Sequence, residues 1–176
     1  PLQSSHLTPE ERTSMKQLDA WFTSSAESNP YMRLLVDHLD RQNVSVRTVR
    51  PQRHIFGESL LYGGPDVLHL HWLSTFFMSE RPPTSEFRTA FNSASFLAAL
   101  DFAQWRGAGL VWTAHNLHNH ERWGLPYDRL CHTRVAQQAD AVIAHAPRAR
   151  ERIVEEFAID GDKVHVIPHG HFIDWY

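Results

Sequence analysis

Gly109-Leu-Val-Trp-Thr-Ala-His-Asn-Leu-His-Asn-His-Glu121 is an apolar run that stops abruptly in imidazoles, amides and a carboxylate. Leu110, Val111 and Trp112 are strand formers placed directly after the break Gly107-Ala-Gly109, the pattern of a strand covered on both faces. Open α/β sheets bind ligands where backbone leaves the carboxyl ends of their strands. The stretch therefore predicts a central strand with a polar site at its end.

On its amino-terminal side, Leu18 to Phe22 reads as a first strand feeding the polar turn Thr23–Pro30. Leu34, Leu35, His38 and Leu39 then recur at helical spacing to about Arg41, and Val44–Val49 alternates as a strand. Residues 51–65 read as a loop. Asp66–Leu73 predicts a strand with Val67, His69 and His71 on one face and Leu68, Leu70 and Trp72 on the other. The segment 74–92, with Phe76, Phe77, Met78 and the break Pro82-Pro83, predicts an excursion with an exposed apolar lip. A helix from Ser95 to Trp105 ends at Gly107. Upstream of all this, Thr8-Pro-Glu-Glu11 is a capping box for a short helix.

On the carboxyl side, the predicted elements are a helix over about Tyr127–Gln138, a buried strand Asp140–His145, a helix Arg148–Phe157 with Pro147 at its start, and a strand Val164–Ile167. Strands alternating with helices of about ten residues argue a single Rossmann-like α/β domain, its sheet mostly parallel with helices on both faces. That architecture brings His69, His71, His115, His118, His120, His145, His169 and His171 toward one edge.

Composition narrows the function. At 176 residues, 42% hydrophobic and 21% charged, the chain builds one good core. A net charge of −3 gives no reason to expect nucleic acid, and no apolar run approaches the roughly 18 residues of a membrane span. The single cysteine, Cys131, excludes an intrachain disulfide and fits a reducing compartment. Pro1-Leu-Gln-Ser-Ser5 lacks a signal-peptide pattern, reading as an internal cut or an added remnant, and the composition makes a cytoplasmic protein, or one peripheral at the inner membrane face, the expectation. No Gly-x-Ser-x-Gly elbow follows a strand, and Cys131 falls inside a predicted helix, which argues against a nucleophilic hydrolase. No Gly-x-Gly-x-x-Gly follows the first strand, which removes support for a dinucleotide. Histidines at i and i+2 on a strand could share a metal, yet His-Glu-x-x-His and a cysteine pair are both missing, so no metal site is assigned.

The series His-Leu-His-Trp-Leu at 69–73, Phe-Leu-Ala-Ala-Leu at 96–100, Trp-Thr-Ala-His-Asn-Leu at 112–117, His-Glu at 120–121, Ala-Asp-Ala-Val-Ile at 139–143 and Val-Ile-Pro-His-Gly at 166–170 resembles the N-terminal domain of GT-B glycosyltransferases. The likeness is to bacterial family 4 enzymes that build cell-surface polysaccharides. It implies an N-terminal extension over 1–16, a Rossmann-like acceptor-side domain over 17–173 and the start of an interdomain linker at 174–176. It further implies a nucleotide-sugar co-substrate, no other cofactor, a glycan or lipid-linked acceptor, and a separate donor-binding domain as partner.

By the same resemblance His115 falls where family members place a histidine beside the donor sugar. Glu121 joins it as a catalytic candidate, and Asn116, His69, His71, His120, His169 and Gly170 are candidates for binding donor or acceptor. The turn Thr23–Pro30 lacks the glycine pair that many members place against phosphate. The resemblance places the donor domain beyond Tyr176, so the isolated chain is expected not to turn over. The residues leave open a non-catalytic half of a split transferase, an interaction module and a histidine-rich metal-binding protein. Arg148, Arg150 and Arg152 read as a solvated helix face, with docking on an anionic membrane as the alternative. Self-association through apolar surface around 72–78 and 172–176 is also expected.

Overall fold

The computed structural model describes residues 16–23, 29–49, 57, 60, 63–78, 86–118 and 125–170. The helix expected at Thr8 and most of the loop 51–65 lie outside these residues. The described elements are β1 (Leu18–Phe22), α1 (Pro30–Asp40), β2 (Val44–Thr48), β3 (Val67–Leu70), α2 (Ser74–Phe77), α3 (Glu86–Trp105), β4 (Gly109–Thr113), α4 (Leu125–Gln138), β5 (Ala141–Ala144), α5 (Pro147–Phe157) and β6 (Val164–Val166). The six strands form one parallel sheet in the order β2-β1-β3-β4-β5-β6. Winding runs outward from β1 to β2, returns past β1 to β3, and then steps on to β6. The direction thus reverses between β1 and β3, and such a reversal leaves a crevice at the carboxyl ends of the two strands.

Both sheet faces are covered, by different amounts of helix. Trp21, Leu68, Leu70, Leu110, Trp112 and Val142 pack on one face against α2, α3, α4 and α5. Ala20, Phe22 and Val67 pack on the other against Met32, Leu35 and Leu39 of α1. Local chemistry sets the ends of these elements. The Asn29 side chain accepts the Tyr31 N–H at 3.0 Å and Pro30 occupies the first turn, which starts α1. Asp66 and Asp140, just ahead of β3 and β5, accept the backbone N–H groups of Asp19 and Leu110 at 2.9 and 2.7 Å. Gly107, at φ 95°, takes the left-handed backbone that closes α3.

Three expectations change. The strand expected over 66–73 stops at Leu70. Beyond it the ladder is replaced by a side chain, because Thr23 Oγ1 accepts the His71 N–H at 3.3 Å. The Trp72 carbonyl then accepts from the Thr75 hydroxyl at 2.7 Å as the chain turns into α2. Helix α3 begins at Glu86, nine residues ahead of the expected Ser95. Its buried face there is carried by Thr89 and Ser93, while Phe87 and Phe91 point outward at 81% and 63% exposure, which inverts the usual pattern. The expected apolar lip is core instead: Phe76 and Phe77 are fully buried, with Phe76 stacked on Phe96 at 4.7 Å. That removes Phe76 and Phe77 from the surface proposed for self-association, and residues 172–176 lie outside the described residues.

Arg150 also departs from the solvated-face reading. Its guanidinium donates to the carbonyls of Val164 and Gly161 at 3.0 and 2.7 Å and so ties α5 to the start of β6. No helix among the described residues is long and apolar enough to cross a membrane.

Candidate functional site

Parallel strands end together, and here their ends are rich in imidazole. His69 is the penultimate residue of β3, His71 follows the strand, Thr113 ends β4 with His115 two residues on, and His145 and His169 follow β5 and β6. His69 Nε2 lies 2.8 Å from Thr113 Oγ1. His71 Nδ1 lies 3.2 Å from His115 Nε2. The His69 and His71 rings stack at 4.4 Å, and the Trp72 indole lies flat on His115 at 4.4 Å and 6°. This stacking holds the His115 ring in one orientation.

Tyr31, delivered by the first turn of α1, crosses the cluster. Its ring centroid sits 5.2 Å from His115, 5.6 Å from His145 and 4.7 Å from His169. Burial raises the Tyr31 hydroxyl pKa above its ordinary value, against the opposing effect of a hydrogen bond with Thr113. Tyr31, Thr113 and His145 are absent from the sequence-derived set. The one sequence signal was the Asn29-Pro30-Tyr31 helix start, which places Tyr31 in the first turn without saying what it faces.

Burial also decides the charge of the imidazoles. Desolvation pushes His69 down to about 3, with repulsion from His115 adding to it. It pushes His71 down to about 2 and His115 to about 4, again with neighbouring imidazoles as the smaller cause. All three are neutral at pH 7, so they act as hydrogen-bond donors and acceptors rather than cations. A general base works best with its pKa near the operating pH. His115 is therefore better suited to orient a hydroxyl than to deprotonate one.

The depression of His69 has a consequence for stability. Between about pH 6.5 and 3 the unfolded chain takes up a proton at this site that the folded protein excludes. Stability contributed above pH 6.5 is thus lost as pH falls through that window, by up to about 1.4 kcal/mol per pH unit. Thermal melts as a function of pH should show this slope, and His69→Gln should flatten it. Equal slopes in the two proteins would refute the assignment.

The candidate residues separate by location. His69 and His71 are buried, at 6% and 1% exposure, and face Thr113 and His115 from beneath. His115 and Asn116 line a cleft of about 370 Å³ whose opposite side is Ala149, Arg152 and Ile153 of α5. Arg152 is exposed there, and helical periodicity alone gave no sign that it faces His115. His169 and Gly170 are exposed after β6, and a Cβ added at Gly170 would meet nothing within 4 Å, so no close backbone approach requires that glycine. Glu121, His120 and His171 lie outside the described residues. His118 turns toward the helices: its Nδ1 is 3.4 Å from Asp128 and its Nε2 is 3.1 Å from Glu156, which pins the loop after β4 onto α4 and α5. Cys131 is fully buried and its thiol is pushed up to about 11, mainly by desolvation, as a packing residue should be.

Comparison with known proteins agrees with this architecture. Residues 89–174 match the family model for Glycosyltransferase Family 4, a span that takes in β4 and the cleft. No curated protein sequence matches the chain. Among solved structures, the chain is similar to Anabaena Alr3699/HepE in complex with UDP, with a TM-score of 0.50 and 12% identity over 88% of this chain and 44% of that one. The same protein in complex with UDP and glucose gives a TM-score of 0.51 at 12% identity, over 88% and 45% of the two chains. The chain thus spans less than half the length of those solved chains, and at this identity the likeness is one of fold. Residues 89–174, just under half of the chain, are thus similar to Glycosyltransferase Family 4, and the six-stranded Rossmann-like sheet shares the fold of those solved structures.

Proposed function

We propose that this domain is the acceptor-side wall of a sugar-transfer cleft, in which a sugar passes from a nucleotide-sugar donor to a hydroxyl of a glycan or lipid-linked acceptor. The observation that carries the reading is the cleft of about 370 Å³ that opens against His115 and Asn116 at the carboxyl edge of the sheet. Glycosyl transfer develops oxocarbenium-like charge and needs an oriented hydroxyl, and fixed neutral hydrogen-bonding groups on a rigid strand end are suited to both. His115 supplies such a group, held by Trp72 and His71. Arg152, across the cleft, supplies a cation for a phosphate-bearing donor or acceptor.

On this reading the domain occupies residues 17–173, and a companion nucleotide-binding domain completes the cleft. The 176-residue chain by itself then gives no turnover. To test this, the entire gene product containing residues 1–176 is incubated with nucleotide sugars, beginning with UDP-linked hexoses, and with lipid-linked glycan acceptors, and products are followed by mass spectrometry. Transfer by the entire product and none by the isolated chain is the expected result. Transfer by the isolated chain would overturn the one-wall reading, and an entire product inert toward every donor would overturn the transferase reading.

A further inference from the structure

His115, His145 and His169 follow three successive strands and offer ligand nitrogens that all lie within 4.8 Å of one another. Their ring centroids stand 5.2 Å apart for His115 and His145 and 4.7 Å apart for His145 and His169. A tetrahedral zinc ion with nitrogen ligands at about 2.0–2.1 Å holds those nitrogens roughly 3.4 Å from each other. Small side-chain rotations close the set.

The hydrogen bonds around the cluster favour ligation. His145 Nδ1 lies 3.0 Å from the Ile167 carbonyl, which can only accept, so the proton resides on Nδ1 and Nε2 carries a lone pair. That Nε2 is buried and has no hydrogen-bond partner among the described residues. A buried acceptor left in that state is costly, and a metal ion would satisfy it. His115 Nε2 faces His71 Nδ1 at 3.2 Å, and with the proton on His115 its Nδ1 is left to ligate. His169 Nδ1 faces the Gly170 carbonyl at 3.4 Å, which orients that ring. Histidine ligands are usually held in this way, by a second hydrogen bond from the other ring nitrogen. The Tyr31 ring lies against all three imidazoles, at 5.2, 5.6 and 4.7 Å.

We propose that His115, His145 and His169 form a three-histidine site for one zinc-class divalent ion, leaving a fourth position for water or an exchangeable ligand. The proposal does not rest on the transfer reading. It does connect to it, since an ion on His115 withdraws that imidazole from the sugar cleft. A second group, His118, Asp128 and His132, has similar spacing. Both His118 nitrogens already face carboxylates, Nδ1 to Asp128 at 3.4 Å and Nε2 to Glu156 at 3.1 Å, so this group reads as an anchor between loop and helices.

The test uses the 176-residue chain stripped of metal by a chelator. Zinc is titrated by calorimetry, and cobalt(II) is titrated by visible absorption, where a tetrahedral site shows intense d–d bands. One ion per chain with a dissociation constant of about 1 μM or tighter is expected. His145→Ala and His169→Ala should each weaken zinc at least about 10-fold, while His118→Ala leaves it unchanged. His169 is exposed and lies beyond the last strand, so its variant keeps the test decisive even if His145→Ala fails to fold. The absence of saturable binding would overturn the site. So would affinity that survives His169→Ala, or that falls with His118→Ala instead. No nucleotide sugar enters the measurement, so its failure leaves the transfer reading standing.

Discussion

On the sugar-transfer reading proposed above, replacing His115 with alanine in the entire gene product is expected to lower kcat by about 10²- to 10³-fold, the usual loss when one pre-oriented hydrogen-bonding group is removed from a transition state. The prediction follows from three features. The ring is fixed between Trp72 and His71, it borders the cleft, and its pKa near 4 keeps it neutral, with Nε2 bonded to His71 and Nδ1 left for a hydrogen bond. A group that acts only in the transition state affects kcat and kcat/KM alike. The comparison is therefore made from steady-state kinetics in chelator-treated buffer, which keeps metal binding at His115 from contributing. His115→Asn, which retains a donor and an acceptor, should recover part of the loss. A kcat within about threefold of wild type for the alanine variant would remove His115 from the chemistry.

The largest effect on stability is expected at Trp112→Ala. Trp112 is 1% exposed near the end of β4 and packs edge-on against Phe157 of α5 and His132 of α4, at 5.7 and 5.8 Å. Removing an indole from such a position costs about 3–5 kcal/mol, because the transfer free energy is lost and the cavity collapses only in part. For a domain of this size that corresponds to a fall in melting temperature of about 10 °C or more. Calorimetric melts and urea titrations of the isolated chain measure it. A loss below about 1 kcal/mol would mean that β4 is not the centre of the core. Trp112 lies three residues ahead of His115, so the same variant should also loosen the site. Reduced hydrogen-exchange protection at Ala114, whose N–H bonds the Ile143 carbonyl, would reveal this.

Local chemistry made much of the fold legible. β1, α1, β4, β5 and α5 lie within a residue or two of their expected places. Periodicity, the Asn29-Pro30 start of α1, Gly107 and Pro147 act over a few residues and leave their mark in the sequence. The first half of α3 was hidden because its core face is made of Thr89 and Ser93, whose burial depends on what α3 packs against. Phe76 and Phe77 were misplaced for the same reason: a short apolar run beside a proline break looks alike whether it is covered or bare, and α3 covers it.

The candidate site divides along the same line. Sequence alone determined that imidazoles gather at strand ends, that β4 is central, and that Cys131 is a packing residue, because strand periodicity and the parallel α/β pattern are local and additive. Tertiary structure decided which strand ends meet. The winding reversal between β1 and β3 brings Tyr31 of α1 against His115, His145 and His169, residues from four separate segments of the chain. It also decided the charge of three imidazoles and the tautomer of a fourth. Burial lowers the pKa of His69, His71 and His115, and the Ile167 carbonyl places the proton of His145. Desolvation and hydrogen-bond partners are properties of the packed chain, and no spacing of residues encodes them.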